Sequence, residues 1–209
     1  MLRDIRKQYF LNTLDEQNVL PNPFDQFDLW LQQAIESDLI EPTAMILSTV
    51  DQHLQPHSRV VLLKELSIDG LVFYTNYEGN KAHQMAQNKK VSVVFFWPML
   101  ERQVRITGSV EKIQETISSS YFLSRPIDSQ IGAWASPQSQ IIRSQDFLEQ
   151  QFQYYQQKFG TKIPKPPHWG GYLIRPESFE FWQGRPNRLH DRLYFSKEAK
   201  SWKIVRLAP

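Results

Sequence analysis

The sequence predicts a β-rich α+β fold, a barrel or strongly curved sheet with helices at its periphery. Five segments before residue 114 carry the aliphatic and β-branched runs of strands, and three more follow residue 171. Helical periodicity is confined to the stretches around and between them, and so many short strands favour a sheet that curls or closes. Of 209 residues, 41% are hydrophobic and 13% aromatic, enough to bury one sizeable core, and length favours one domain over two.

Each element has a local cause. Asn22 and Pro23 supply an N-cap and a proline at the first helical position. Phe24, Phe27, Trp30, Leu31, Ala34 and Ile35 then repeat at helical spacing, which predicts a helix to about Leu39. "TAMILSTV" and "HSRVVLLKEL" read as a hairpin around the polar turn "DQHLQP". "LVFYTN", "VSVVFFW" and "RQVRITGSVEKI" are further strands, with "GNKAHQMAQN" a short helical crossover between the first two. A helix from Glu115 stops at Ser124, because Pro126 disfavours helical geometry at the residue ahead of it. A longer helix spans Ser144 to Phe159, the proline-rich "KIPKPPHWGG" is a loop, and "YLIRPESFEFW", "RLHDRLYF" and "SWKIVRL" return to strand. There is no internal repeat.

Composition excludes several kinds of chemistry. With 24 basic and 22 acidic residues the formal charge is +2, so no broad basic face for nucleic acid is expected and any anion site is local. Zero cysteines exclude disulfides, thiolate zinc sites, iron-sulfur clusters and a cysteine nucleophile. The five histidines show no metal spacing, so no metal is expected, and G-x-G-x-x-G, Walker, H-E-x-x-H and G-x-S-x-G motifs are missing. The start "MLRDIRKQYF" lacks the apolar centre of a signal peptide, and no stretch reaches the ~20 apolar residues of a membrane span. The expectation is a cytoplasmic protein that acts neither on membranes nor on nucleic acid.

Candidate ligand groups are scattered and mostly cationic. "FWQGRPNRLHDRLYF" crowds three arginines and a histidine. As a strand, residues 188–195 put Arg188, His190 and Arg192 on one face and Leu189, Asp191 and Leu193 on the other. Such a row is tolerable when solvated, as on a hairpin edge, or when an anion or electron-rich ring lies against it. Arg59 and Lys64 are an odd number apart, so a regular strand sends them to opposite sides. Gly79, Asn80 and Lys81 stand where a loop enters a helix, where free N–H groups and a lysine suit an anion. Tyr121 and Arg125 share a helical face, and Ser129 follows in a loop beyond Pro126, a set suited to phosphate. Gln103 offers its amide either to a heterocycle edge or to a neighbouring strand. One or two phosphorylated ring compounds fit this inventory.

The motifs "RVVLLK", "FYTN", "NKAHQ", "ERQVRITG", "YFLSRPIDSQIGAWAS", "PQS", "EFWQG", "RLHDR" and "WKIVRLAP", in this order, resemble the pyridoxamine 5'-phosphate oxidase family from about Arg6 to the last residue. The resemblance implies an FMN-binding split β-barrel, a homodimer with FMN at the subunit interface, and oxidation of pyridoxine or pyridoxamine 5'-phosphate to pyridoxal 5'-phosphate. Oxygen would be the acceptor and hydrogen peroxide a product, with ammonia from the amine. It implies FMN ligands at Arg59, Val60, Val61, Leu62, Leu63, Lys64, Tyr74, Thr75, Asn80, Lys81, Gln103, Gln138, Ser139, Trp182 and Arg192. Lys64, Tyr121, Arg125 and Ser129 would hold the substrate phosphate. Arg188 and His190 would lie over the substrate ring as the catalytic pair. Arg6 and Tyr9 would belong to an arm, residues 1–20, closing the site of a single domain spanning 21–209.

Two features depart from the family pattern. Gly79 and Asn80 stand where Ser-Arg is common, which removes a cation from the FMN phosphate site and implies weaker FMN binding. "NTLDEQNVLP" lacks an arginine run tied to a secondary pyridoxal phosphate site. A phenazine-type flavin oxidase of the same fold, or a carrier that binds without turnover, remain alternatives.

Overall fold

A computed structural model describes residues 1–5, 7–199 and 201–209. Nine strands form one antiparallel sheet: β1 (Ala44–Val50), β2 (Pro56–Leu62), β3 (Glu65–Ser67), β4 (Gly70–Asn76), β5 (Lys90–Trp97), β6 (Arg102–Lys112), β7 (Trp169–Gln183), β8 (Asp191–Lys197) and β9 (Trp202–Arg206). Their order is β2-β1-β5-β6-β7-β4-β3, with β8 beside β7 and β9 beside β8. β7 is long enough to take two partners on one edge. Its first half pairs with β4 and its second half with β8.

The sheet curls until its ends meet. Just past β2, the Leu63 N–H donates to the Thr43 carbonyl at 2.9 Å, while the next amide, Lys64, donates to Val72 of β4 at 2.8 Å. Consecutive residues thus bond to opposite ends of the strand order. A register shift between Thr107 and Gly108 adds the local bend that a bulge supplies.

Helix α1 (Pro23–Ile35) fills the inside of this curve. The Asn22 side chain accepts from the Phe24 N–H at 3.0 Å, as an N-cap should. Phe27, Trp30, Leu31 and Ala34 are buried, and Phe27 and Trp30 meet Phe95, Trp97, Phe179 and Phe181. Each large apolar side chain so buried contributes about 1.5–3 kcal/mol. Helices α2 (Asn80–Gln87), α3 (Glu115–Ser124), α4 (Ile127–Ala135) and α5 (Gln145–Phe159) complete the chain. A second apolar cluster, Phe122, Ile131, Ile163 and Trp169, seats α3, α4 and α5 against the start of β7. Among the described residues no helix is long and apolar enough to cross a membrane.

Four local expectations are corrected. Helix α1 ends at Ile35, not near Leu39, where the Ser37 hydroxyl donates to the Ala34 carbonyl. "HSRVVLLKEL" is two strands rather than one, because the chain changes partner at Leu63 and Lys64. "RPIDSQIGAW" is not a loop: it contributes most of α4. Residues 188–190 are outside β8, which starts at Asp191, because Asn187 and Arg188 adopt left-handed φ values of 57° and 63°.

A cation-lined candidate site

The partner change after β2 creates the first cavity. Arg59, Val60, Val61, Leu62 and Lys64 form one wall, Tyr74 and Thr75 of β4 another, and Lys81, Tyr121, Arg125, Gln138 and Trp169 complete a space of ≈ 450 Å³. A contiguous recess of ≈ 380 Å³ shares Tyr74, Thr75, Arg125, Gln138 and Trp169 and adds Ser129 from α4. Arg59 and Lys64 therefore line the same cavity, against the parity expectation, because β2 ends between them. Leu63 does not line it: its side chain is buried in the core, leaving only its main chain near the site.

The donors here converge. The Lys81 ammonium donates to the Thr75 hydroxyl at 3.0 Å and to Gln138 Oε1 at 2.6 Å. Arg59 donates to the Thr49 hydroxyl, to Gln84 Oε1 and to the Leu47 and His57 carbonyls, which fixes its position. Ser139 accepts from the Asn80 N–H at 3.2 Å, so the entry to α2 and the loop after α4 are tied together. Tyr121, Tyr74 and Trp169 stack with interplanar angles of 17° and 9°, and the Arg125 guanidinium lies 4.7 Å from the Trp169 ring centre. Arg125 Nη1 is buried without a hydrogen-bond partner among the described residues.

Burial pushes the Arg125 and Arg59 guanidinium pKa values down, and burial followed by the neighbouring Arg59 charge does the same to Lys81. These cations carry their charge at a desolvation cost that an anion in the cavity would offset. The Tyr74 phenol is pushed up, first by burial and then by its hydrogen bond to Glu65, so it is a neutral donor.

A second cavity of ≈ 600 Å³ is lined by Ile5, Lys7, Gln8, Tyr9, Arg185, Asn187, Arg188 and His190. The Arg185 N–H donates to His190 Nδ1 at 3.1 Å, which leaves the neutral imidazole with its proton on Nε2. Burial, then the Arg188 charge, lower the His190 pKa and favour that neutral form. The Tyr9 ring meets His190 and Trp182 edge-on, both with centroids 5.7 Å apart. Gln103, Trp182 and Arg192 lie in one register row across β6, β7 and β8. Arg192 is not free of partners: it donates to Glu180 and to the Ala208 carbonyl.

Most of the residues singled out by sequence therefore gather in two places, while Gln103, Trp182 and Arg192 line neither cavity and share their own row on the sheet. Arg59, Val60, Val61, Leu62, Lys64, Tyr74, Thr75, Lys81, Tyr121, Arg125, Ser129 and Gln138 surround the first, with Asn80 and Ser139 at its entrance; Tyr9, Arg188 and His190 surround the second. Arg6 lies outside the described residues. Sequence reasoning missed Trp169, whose only signal was its place at the end of the proline-rich stretch, and missed Lys7; Arg185 was noticed only as one of three crowded arginines, with no role attached.

A curled antiparallel sheet that meets itself at one corner, with a cation-lined cavity there, defines a split-β-barrel protein with a ligand site. Residues 31–159 match the family described as pyridoxamine 5'-phosphate oxidase, and residues 169–209 the pyridoxine 5'-phosphate oxidase C-terminal dimerisation region. The chain belongs to the pyridoxamine 5'-phosphate oxidase family, which places it among the oxidoreductases. It is 49% identical over 211 residues to a pyridoxine/pyridoxamine 5'-phosphate oxidase of Burkholderia mallei, covering 100% of this chain and 99% of the relative, and equally identical to that of Burkholderia thailandensis. The fold matches PhzG of Burkholderia lata, solved with tetrahydrophenazine-1-carboxylic acid, at a TM-score of 0.89 and 24% identity over 95% of this chain and 99% of that one. A pyridoxamine 5'-phosphate oxidase-related, FMN binding protein of Nostoc punctiforme aligns at a TM-score of 0.73 and 16% identity, over 91% of this chain and 100% of that one.

Proposed function

We propose that this protein is an FMN-dependent oxidase that converts pyridoxamine 5'-phosphate and pyridoxine 5'-phosphate to pyridoxal 5'-phosphate. Oxygen is the final acceptor and is reduced to hydrogen peroxide; water enters and ammonia leaves when the amine is the substrate. The observation that carries the reading is the buried, unpartnered Arg125 Nη1 beside Lys64 and Tyr121, in a chain of this family. A dianionic phosphate supplies the missing acceptor, and a guanidinium can take it bidentately.

The donor set fits FMN as well. Arg59, Lys81, Thr75 and Gln138, with Asn80 and Ser139 at the helix entry, would hold its phosphate, and Gln103, Trp182 and Arg192 its ring system. When bound, FMN supplies the acceptor for the hydride lost from the substrate carbon. The chain's own task is to bind and align. Lys64, Tyr121, Arg125 and Ser129 fix the substrate by its phosphate, Arg188 holds its ring, and His190 presents an N–H from Nε2. Residues 1–20 form an arm over the single domain of residues 21–209.

The two cavities belong to separate regions of one chain, so the reading places the complete site between two copies, with groups from each. The match to a dimerisation region and the exposed apolar face of β1, β2 and β5 support this. A cytoplasmic location belongs to the same reading.

The test is turnover in air. Purified protein with added FMN and pyridoxamine 5'-phosphate is expected to form pyridoxal 5'-phosphate, followed by its absorbance as an amine adduct. Formation should depend on FMN and be lost in Arg188→Ala. FMN binding without product from either phosphorylated vitamer overturns the reading in favour of a carrier or a different flavin oxidase.

A further inference from the structure

We propose that Glu101 is a positioning residue whose buried carboxylate latches the N-terminal segment shut over the Arg188–His190 cavity. The role rests on reading that cavity as part of the substrate site.

Glu101 occupies the tight turn between β5 and β6 with a left-handed φ of 55°, where glycine or asparagine is more comfortable. Its side chain is only 4% exposed. A buried charge at a strained backbone position carries two costs, and the turn itself requires neither. The partners of the carboxylate explain them. Oε2 accepts from the Phe10 N–H at 2.8 Å and the Leu11 N–H at 3.1 Å, and Oε1 faces the Lys7 ammonium at 3.6 Å. All three belong to the segment that carries Tyr9.

The same turn organises the cavity floor. The Glu101 carbonyl accepts from the Gly184 N–H at 2.8 Å, at the point where β7 leads into Arg185. A Cβ on Gly184 would fall 2.6 Å from the Tyr9 ring, so glycine is what lets the ring sit down onto the chain between Trp182 and His190. Further along, Asp191 Oδ2 accepts from the Leu14 N–H at 3.1 Å and holds the base of the segment. Glu101 therefore governs the free end, nearest the ligand.

Two variants separate the latch from the turn. Glu101→Gly removes the carboxylate and relieves the backbone, so the turn still forms; Glu101→Gln keeps an acceptor oxygen without the charge. Hydrogen exchange at the Phe10 and Leu11 amides, measured without substrate, should accelerate tenfold or more in Glu101→Gly and less in Glu101→Gln, as should tryptic cleavage after Lys7. In the same proteins KM for pyridoxamine 5'-phosphate should rise roughly tenfold in Glu101→Gly while kcat stays within about twofold, and Glu101→Gln should recover part of the loss. Unchanged exchange in Glu101→Gly overturns the latch, and faster exchange with an unchanged KM overturns its role in positioning. A wild-type protein without turnover overturns the functional reading instead, while the exchange rates still decide the latch.

Discussion

On the proposed reading, Arg125 holds a ligand site ready at a cost. Its guanidinium packs against Trp169 and Phe122, yet Nη1 has no acceptor among the described residues. An unmade buried hydrogen bond costs about 1–3 kcal/mol, a loss of stability that ligand binding would offset. Arg125→Met keeps the length and the ring contact and removes the orphan donor. The ligand-free variant should melt higher by roughly 2–4 °C for each kcal/mol recovered, in a chain of this size. Its affinity for a phosphorylated substrate should fall roughly a hundredfold, the loss expected for charge-assisted bonds to phosphate. Thermal melts with substrate titration measure both; a variant that melts lower and binds normally contradicts the assignment. On the proposed reading, His190 sets a pH dependence. Its lowered pKa and the Arg185 N–H aimed at Nδ1 both favour the neutral ring. Protonation below the ordinary histidine range removes that acceptor, so kcat/KM should be full above about pH 6.5 and decline as pH falls through the lowered pKa. The acid limb should vanish in His190→Asn; a pH profile identical to wild type counts against the role.

At the scale of elements, the hairpin of β3 and β4 presents Tyr74 and Thr75 to the cavity, and Gly70 makes the hairpin possible. Its φ is 148°, and a Cβ there would lie 1.9 Å from the Ile174 carbonyl oxygen on β7. Gly70→Ala must push two strands apart. A loss of about 2 kcal/mol or more is expected, seen as a Tm lower by roughly 4–8 °C, together with weaker ligand binding as Tyr74 shifts. A melt within a degree of wild type would contradict the packing argument. Such positions also mark where sequence reading stops. Helix α1 is legible because Asn22, Pro23 and the apolar spacing agree, but its end is set by the Ser37 hydroxyl, which the periodicity does not register. Helix α4 is hidden because it starts directly after Pro126 and contains Gly132, both of which read as loop. The break between β2 and β3 and the left-handed pair Asn187–Arg188 interrupt segments whose composition is that of strands. The cationic and hydroxyl residue types read as suited to phosphate, and motif order supplied the family. Their division between two cavities is tertiary, and no spacing along the chain encodes it.

For the whole molecule, the proposed two-copy site would account for both that division and the outer face of the sheet. Val60, Ile46 and Val94 form a cross-strand row on β2, β1 and β5, with Phe96 beside it. In the single chain Ile46 is 41%, Phe96 55% and Val60 62% exposed, and Val60 also borders the cation-lined cavity. Apolar side chains aligned in this way mark a face suited to being covered, and on the proposed reading a second copy covers it with its own equivalent patch. Ile46→Asp places a charge in the middle of that face while leaving the solvated single chain little changed. On the two-copy reading, light scattering should show the variant as a monomer with the circular dichroism of the wild type. FMN titration should show affinity reduced at least tenfold, since each half-site keeps only part of its donors. A monomeric, folded Ile46→Asp protein that still binds FMN as tightly as wild type would show that one chain holds the cofactor alone, and the shared site would have to be abandoned.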